Sequence, residues 1–277
     1  VSRSQLVPGV EIVSVPGRGL AVRTAEGEFL SVRTGDTDED ALLSRLSGTT
    51  AGEPDDELGR IVRAFENAGY LAGRPRSPRW PADRRDIRLL GDPVLTEPLA
   101  ALLRALGAEP TTAAPDGTAD DLSADEPAAV VWCLDGPVPD GLWGAADRLP
   151  ERGIAWLRCH REGWQAYVEP LAAVAGDVTS AHVRARRLAA TPAHRELAAY
   201  WSGPRTSGVP VHLTAPAAGL LAALLADDLR RWATGAPDTG ELPARRRLRC
   251  VDLRTLTVAE HPVLPVPDVA QMPRKAG

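Results

Sequence analysis

The run Ile87-Arg88-Leu89-Leu90-Gly91-Asp92-Pro93-Val94-Leu95-Thr96 constrains this chain more than any other stretch. A hydrophobic strand leads through a Gly-Asp-Pro turn into an apolar helix with proline at its start, and such a unit buries itself in a layered α/β fold. A nucleotide-binding strand-turn-helix carries Gly-x-Gly-x-x-Gly here, so that backbone N–H groups and the helix N-terminus close on a pyrophosphate. The three glycine positions hold Gly91, Pro93 and Thr96. Proline removes an N–H and two side chains stand where phosphate would approach, so the element is expected to persist as scaffold without a ligand.

The rest of the C-terminal part fits that layer. Val94 to Leu106 reads as the helix, Ala108 to Thr112 as a short strand, Ala129 to Leu134 as a buried strand, Leu142 to Leu149 as a helix and Ile154 to Cys159 as another strand. Trp164 to Val168 is expected to pair back across Arg161-Glu162-Gly163 as a hairpin. Helices are expected over Thr179 to Ala190, Pro192 to Trp201 and Ala215 to Ala233, and closing strands over Leu248 to Leu253 and Thr257 to His261. The acidic loop from Ala113 to Glu126 offers no glycine-rich or basic phosphate cradle.

The first seventy residues have a different order. Val10 to Val15, Gly19 to Thr24 and Glu28 to Val32 alternate as a three-stranded meander. A helix capped by Asp36 or Thr37 carries Ala41, Leu42, Leu43 and Leu46 to Ser47-Gly48. A short second helix is expected between Thr50 and Leu58, and a third from Asp56 to Ala68, with Leu58, Ile61, Val62, Phe65 and Ala68 on its apolar face. Residues 72 to 81, with three prolines and three arginines, cannot continue that helix, and their arginines, joined by Arg84 and Arg85, are expected to be solvated. The expected domains are 1–72, a linker over 73–86, and 87–277.

Three strands then three helices, with Leu42-Leu43-x-x-Leu46-x-Gly48 and a closing Ala68-Gly69-Tyr70-Leu71, resemble the winged-helix peptide-recognition element of ribosomal-peptide modification systems, the PqqD-like family. That resemblance implies an N-terminal winged helix-turn-helix whose third strand takes up a leader peptide by β-augmentation. By position the edge is Phe29, Leu30, Ser31, Val32 and Arg33, and the groove wall is Arg60, Arg63, Ala64 and Asn67. Further on, Ile-Arg-Leu-Leu-Gly-Asp, Tyr167-Val168-Glu169-Pro170, Arg184-x-Arg186-Arg187 and the ending His261-Pro262-Val263-Leu264-Pro265-Val266-Pro267 resemble the ThiF-like, E1-like partner proteins of YcaO cyclodehydratases. These serve pathways to thiazole- and oxazole-containing peptides, including thiopeptides. The resemblance implies a degenerate Rossmann-type α/β scaffold domain, a precursor peptide and a YcaO enzyme as partners, and a homodimer.

Departures from that family bear on cofactors. Where it carries two Cys-x-x-Cys pairs for a structural zinc, this chain has Ser180-Ala181-His182-Val183 and Asp268-Val269-Ala270-Gln271. No cofactor is therefore expected, neither ATP nor zinc. Cys133, Cys159 and Cys250 form neither a disulfide framework nor a metal pair; the first two fall in buried strands, while Arg245, Arg246, Arg247 and Arg249 beside Cys250 would lower its pKa. Six tryptophans (Trp132, Trp143, Trp156, Trp164, Trp201 and Trp232) are expected as core and interface anchors.

Charge argues against a winged-helix regulator of DNA: residues 1–71 hold seven Arg or Lys against twelve Asp or Glu. Apolar runs are too short to span a bilayer and Val1 to Gly9 lacks a signal-peptide core, so a cytoplasmic protein without membrane or nucleic-acid partners is expected. The expected function is non-catalytic: to bind the leader and deliver the precursor to the cyclodehydratase. The alternatives are a residual ATP-dependent peptide-modifying enzyme and the DNA-binding regulator.

Overall fold

The computed structural model describes residues 4–35, 37–47, 56–73, 79–112, 126–203, 206, 208–209, 211–238 and 242–266. The chain divides into two units, Val1–Ser77 and Pro78–Gly277.

In the first unit β1 (Ser4–Leu6) pairs antiparallel with β5 (Leu71–Gly73), while β2 (Glu11–Val15), β3 (Gly19–Arg23) and β4 (Phe29–Ser31) form an antiparallel meander. Helices α1 (Glu39–Leu46) and α2 (Asp56–Asn67) cover it, and Leu20, Val22, Leu42, Leu46, Phe65 and Leu71 make the core. The cap of α1 is Asp38, whose carboxylate accepts from Asp40 N–H at 3.0 Å, rather than Asp36 or Thr37. Most of the expected second helix, residues 50–55, lies outside the described residues, and 56–58 belong to α2. The β1–β5 pair was not legible, because three-residue strands show no period.

The second unit is a seven-stranded mixed sheet in the order β12-β11-β10-β9-β8-β6-β7. The strands are β6 (Asp86–Gly91), β7 (Glu109–Thr112), β8 (Ala129–Leu134), β9 (Ala155–Glu162), β10 (Gln165–Val168), β11 (Arg247–Asp252) and β12 (Thr257–Pro262). From β7 to β9 the pairing is parallel; from β9 to β12 it is antiparallel. Helices α3 (Pro93–Ala105) and α6 (Ala215–Thr234) cover one face, with Leu95, Leu99, Leu103, Leu221, Leu225 and Leu229 packed on Ile87, Leu89, Val131 and Leu157. Strand β8 lies between two neighbours and two layers, which is why its residues read as a continuous apolar run.

On the opposite face Trp132, Trp143 and Trp156 meet edge to face. Two further helices, α4 (Ser180–Ala190) and α5 (His194–Ser202), belong to this unit. The helix expected at Leu142 to Leu149 is instead a run of turns followed by a 3-10 segment over Ala146–Arg152, where Gly141, Gly144 and Pro150 oppose an α-helix. Trp164 is not a core anchor. The β9–β10 hairpin turns at Gly163-Trp164 rather than at Arg161-Glu162-Gly163, leaving Trp164 43% exposed.

Residues 74–78 lie outside the described residues, but Trp80 is buried in the core of the second unit. Arg84, expected to be solvated, lies over the Trp232 ring and donates to Trp232 O at 2.7 Å and Ala233 O at 3.3 Å, satisfying carbonyls at the end of α6. The sheet therefore anchors the segment preceding it, and Gly73 at the other end of the expected linker belongs to β5.

Gly91 takes φ +105°, and a Cβ there would lie 1.8 Å from Cys133 O. Asp92 N–H donates to that same carbonyl at 2.9 Å. The glycine is required by the close approach of β6 and β8. Gly91→Ala is expected to cost more than about 4 kcal/mol or prevent folding, whereas Gly176→Ala, at φ +82° in open space, should cost about 1–2 kcal/mol by thermal denaturation.

Asp228, on α6, is buried between Arg247 (2.7 Å) and Arg249 (2.5 Å) of β11. Removing it leaves two buried guanidinium groups to share the half-exposed Glu260, 3.4 and 3.1 Å away, as their remaining carboxylate. Asp228→Ala should lower stability by about 3–5 kcal/mol. Its neighbour Asp227 makes half-exposed pairs with Arg230 and Arg231, so Asp227→Ala should cost less than about 1 kcal/mol in the same melt.

Candidate functional site: an open strand edge and its groove

Strand β4 pairs only with β3 among the described strands. Val32 N–H donates inward to Leu20 O at 2.9 Å, and Thr24 N–H donates to Glu28 O at 2.8 Å. Antiparallel pairs alternate every second residue, so Leu30 also faces β3, while Phe29, Ser31 and Arg33 turn their backbone N–H and C=O to the open edge. Val32 is therefore an inward-bonded position, not one that could receive an added strand.

Beside this edge runs a groove of about 270 Å³ between β4 and α2, lined by Val22, Leu30, Ser31, Val32, Arg33, Ile61, Ala64, Phe65, Ala68 and Tyr70. It adjoins a second hollow at Arg33, Gly35, Glu57 and Arg60. Of the residues singled out from sequence, Leu30, Ser31, Val32, Arg33 and Ala64 come together in the groove and Arg60 flanks it. Phe29, Arg63 and Asn67 lie outside the lining, exposed.

The wall that sequence reasoning missed is Ile61, Phe65 and Ala68, one step around α2 from the residues chosen. Their apolar stripe was visible, but it reads equally as core. What opens the groove is side-chain size: Ala64 and Ala68 are short, so α2 stands beside β4 without filling the space between them. Arg60 lies 3.9 Å from Glu57 at the exposed end, where the pair is weakly held.

The carboxyl ends of the parallel strands are where an open α/β sheet binds ligands. Here Pro93 has no N–H, and the N–H groups of Leu95 and Thr96 both donate to Asp92 O at 3.0 Å. The Asp92 carboxylate accepts from Asp135 N–H at 2.6 Å, and the Asp135 carboxylate is paired with Arg161, whose guanidinium also donates to Val211 O. A pyrophosphate would meet carboxylate rather than amide, so these residues do not fit the phosphate of a nucleotide.

Zinc fits no better at the described positions. His182 Nδ1 accepts from Thr179 N–H at 3.2 Å in a capping box, and Asp268 lies outside the described residues. Among the described residues no group of three His, Cys, Asp or Glu side chains could hold a metal ion.

Burial disfavours the thiolate form of all three cysteines. Burial pushes Cys133 well above the usual thiol range and Cys159 up to about 12. Burial also raises Cys250, against the opposing pull of a hydrogen bond with Tyr167 and the Arg187 charge. The arginines beside Cys250 in sequence are engaged elsewhere: Arg245 and Arg246 with Asp177, Arg247 and Arg249 with Asp228.

A second constellation went unrecognised in the sequence. On the sheet face opposite α3 and α6, Glu162 accepts from both Arg187 Nη atoms (3.0 and 2.6 Å) and from Trp201 Nε1 at 2.8 Å. His160 lies between Glu162 and Glu169, at 3.4 and 3.7 Å, stacked on Tyr167. Burial pushes the Glu162 carboxyl up, but His160 and Arg187 outweigh it and hold it well below the usual carboxylate range. Burial carries the Tyr167 phenol up to about 12. Tyr167, Glu169 and Arg187 stood in two of the motifs quoted above, but nothing joined them to His160 and Glu162, in the charged tail of β9 that the shortened strand assignment left out, or to Trp201.

No helix among the described residues is long and apolar enough to cross a membrane. No protein-family model matches this sequence, and no curated protein matches it. Solved structures do. A heterocyclase in complex with substrate and cofactor matches with TM-score 0.64 and 14% identity over 96% of this chain and 39% of that one. The heterocyclase TruD matches with TM-score 0.64 and 15% identity over 96% of this chain and 42% of that one. Escherichia coli MccB with ATP matches with TM-score 0.59 and 11% identity over 96% of this chain and 98% of that one. This chain thus spans about two-fifths of the length of the two heterocyclases, and shares with all three a fold.

Proposed function

We propose that this chain binds the leader of a ribosomally made precursor peptide and delivers it to a separate YcaO cyclodehydratase, in the biosynthesis of azole-containing, thiopeptide-type products. The observation that carries the proposal is the open edge of β4 beside an apolar groove. An extended peptide adding to that edge gains main-chain hydrogen bonds at Phe29, Ser31 and Arg33, and alternate side chains enter the groove over Ile61, Ala64 and Ala68. In this reading the first unit is a PqqD-like winged helix, and the second a degenerate ThiF-like domain that docks the enzyme.

The fold shared with heterocyclases supports that pathway. Those heterocyclases are more than twice as long as the part this chain matches, so the proposal leaves azoline formation to the partner. Tethering the leader makes each encounter between core peptide and enzyme intramolecular, so one binding event supports several cyclisations. The carboxylate-lined strand ends support a role without ATP chemistry of its own.

Fluorescence polarisation of a labelled leader peptide, from a precursor encoded beside this gene, tests the proposal. Saturable binding at micromolar concentration or tighter is expected, and its absence with and without the enzyme would defeat the proposal. Ser31→Pro removes an outward N–H from an edge strand, where proline is tolerated, and should weaken binding by at least about tenfold. Unchanged affinity in a folded Ser31→Pro protein would mean that the peptide does not add at β4.

A further inference from the structure

Helix α3 is apolar on two faces. Its inner face, with Leu95, Leu99 and Leu103, packs on the sheet. On the outer face Val94, Pro98, Ala101 and Ala105 follow one another at helical spacing, with Leu102 beside them and Leu106 at the C-cap. Val94, Leu102 and Leu106 are 39%, 38% and 40% exposed, Ala101 and Ala105 are exposed, and Pro98 is half-buried. A surface helix normally carries charged or polar residues opposite its core-facing stripe. Scattered apolar residues on a surface need no explanation, but these form one continuous stripe about 18 Å long.

The charges of α3 indicate what covers this stripe. Glu97 and Arg104 are the charged residues of the helix, both exposed, and they lie on the same flank of the stripe because seven residues make almost two full turns. Among the described residues neither side chain has an ionic or hydrogen-bonding partner. In an antiparallel pair of such helices related by a two-fold axis this flank meets itself, so that Glu97 of each copy faces Arg104 of the other. The apolar residues obey the same axis: Val94 meets Ala105 and Leu106, and Pro98 meets Ala101 and Leu102. The midpoint of Glu97 and Arg104 and that of Val94 and Ala105 fall within about one residue of each other, so one axis serves charge and stripe alike. A parallel pair would instead set Glu97 and Arg104 against the opposite flank, where Leu95 and Leu102 stand and no charge is found.

We infer that the outer face of α3 is an interface with a second copy of this chain, made by two antiparallel α3 helices about an axis near Ala101. Burial of the stripe drives the association, and the paired flank fixes its direction. The short side chains of Ala101 and Ala105 let the two helices approach closely. A single helix pair of this length is smaller than the standard interface of about 1,600 Å², so the dimer is a weak one. The interface belongs to the second unit and does not rest on peptide binding at β4.

Analytical ultracentrifugation of the full chain tests this. A monomer–dimer equilibrium is expected, with Kd between about 1 and 100 μM. Ala101→Arg brings two like charges together at the axis and should weaken dimerisation by at least about tenfold. Glu97→Arg and Arg104→Glu each set like charges against one another twice per dimer, and each should weaken it to a similar degree. An equimolar mixture of these two single variants restores both attractive pairs and should dimerise about as well as the unchanged chain, which a merely apolar contact would not do. Should Ala101→Arg fail to fold, the charge variants and their mixture still decide. A chain that stays monomeric up to about 0.5 mM leaves the face to another occupant and overturns the inference. So does a dimer that all three single variants leave intact, or a mixture no more dimeric than its components.

Discussion

Arg158 has no exposed surface, and four elements of the second unit meet on it. Its Nε donates to Glu169 after β10, its Nη2 to Pro170 O and Val178 O ahead of α4, and Nη1 lies near Asp147 of the 3-10 segment. Asp147 in turn accepts from Ser180 N–H and Oγ at the start of α4, and from Trp156 Nε1. A lone guanidinium in an apolar layer would be prohibitively costly, so these partners are obligatory. The layer over Trp132, Trp143 and Trp156 is thus held by direction-specific bonds in addition to non-directional packing.

Much of this was legible because it follows from periodicity. Helices α3, α4, α5 and α6 and strands β6, β8 and β11 announce themselves by apolar spacing, caps and terminal glycines. The misses have physical causes. Gly141, Gly144 and Pro150 break what apolar spacing alone made a helix. The hairpin turn sits two residues later because Gly163, at φ +62°, takes the left-handed position. Arg84 cannot be told from a solvated arginine by its neighbours in sequence, since its partners lie about 150 residues away in α6.

The strand edge illustrates a finer limit. Which of two adjacent residues offers its amide outward is decided by one inward bond, Val32 to Leu20, and not by side-chain pattern. The groove wall likewise differs from the anticipated one by a single step around α2, because Ala64 and Ala68 are too short to close the space. The Glu162 cluster drew on residues from β9, α4 and α5 that are up to about 40 positions apart, and no spacing rule joins them.

Gly91 has a wider consequence. Its missing side chain is demanded by the carbonyl of Cys133 on the adjacent strand, and that demand exists whether or not a phosphate ever sits at the turn. A glycine at the first position of a phosphate-binding motif therefore answers to sheet spacing before it answers to a ligand. Counting glycines credits such motifs with evidence they do not hold; only positions beyond the sheet, here Pro93 and Thr96, speak about the ligand.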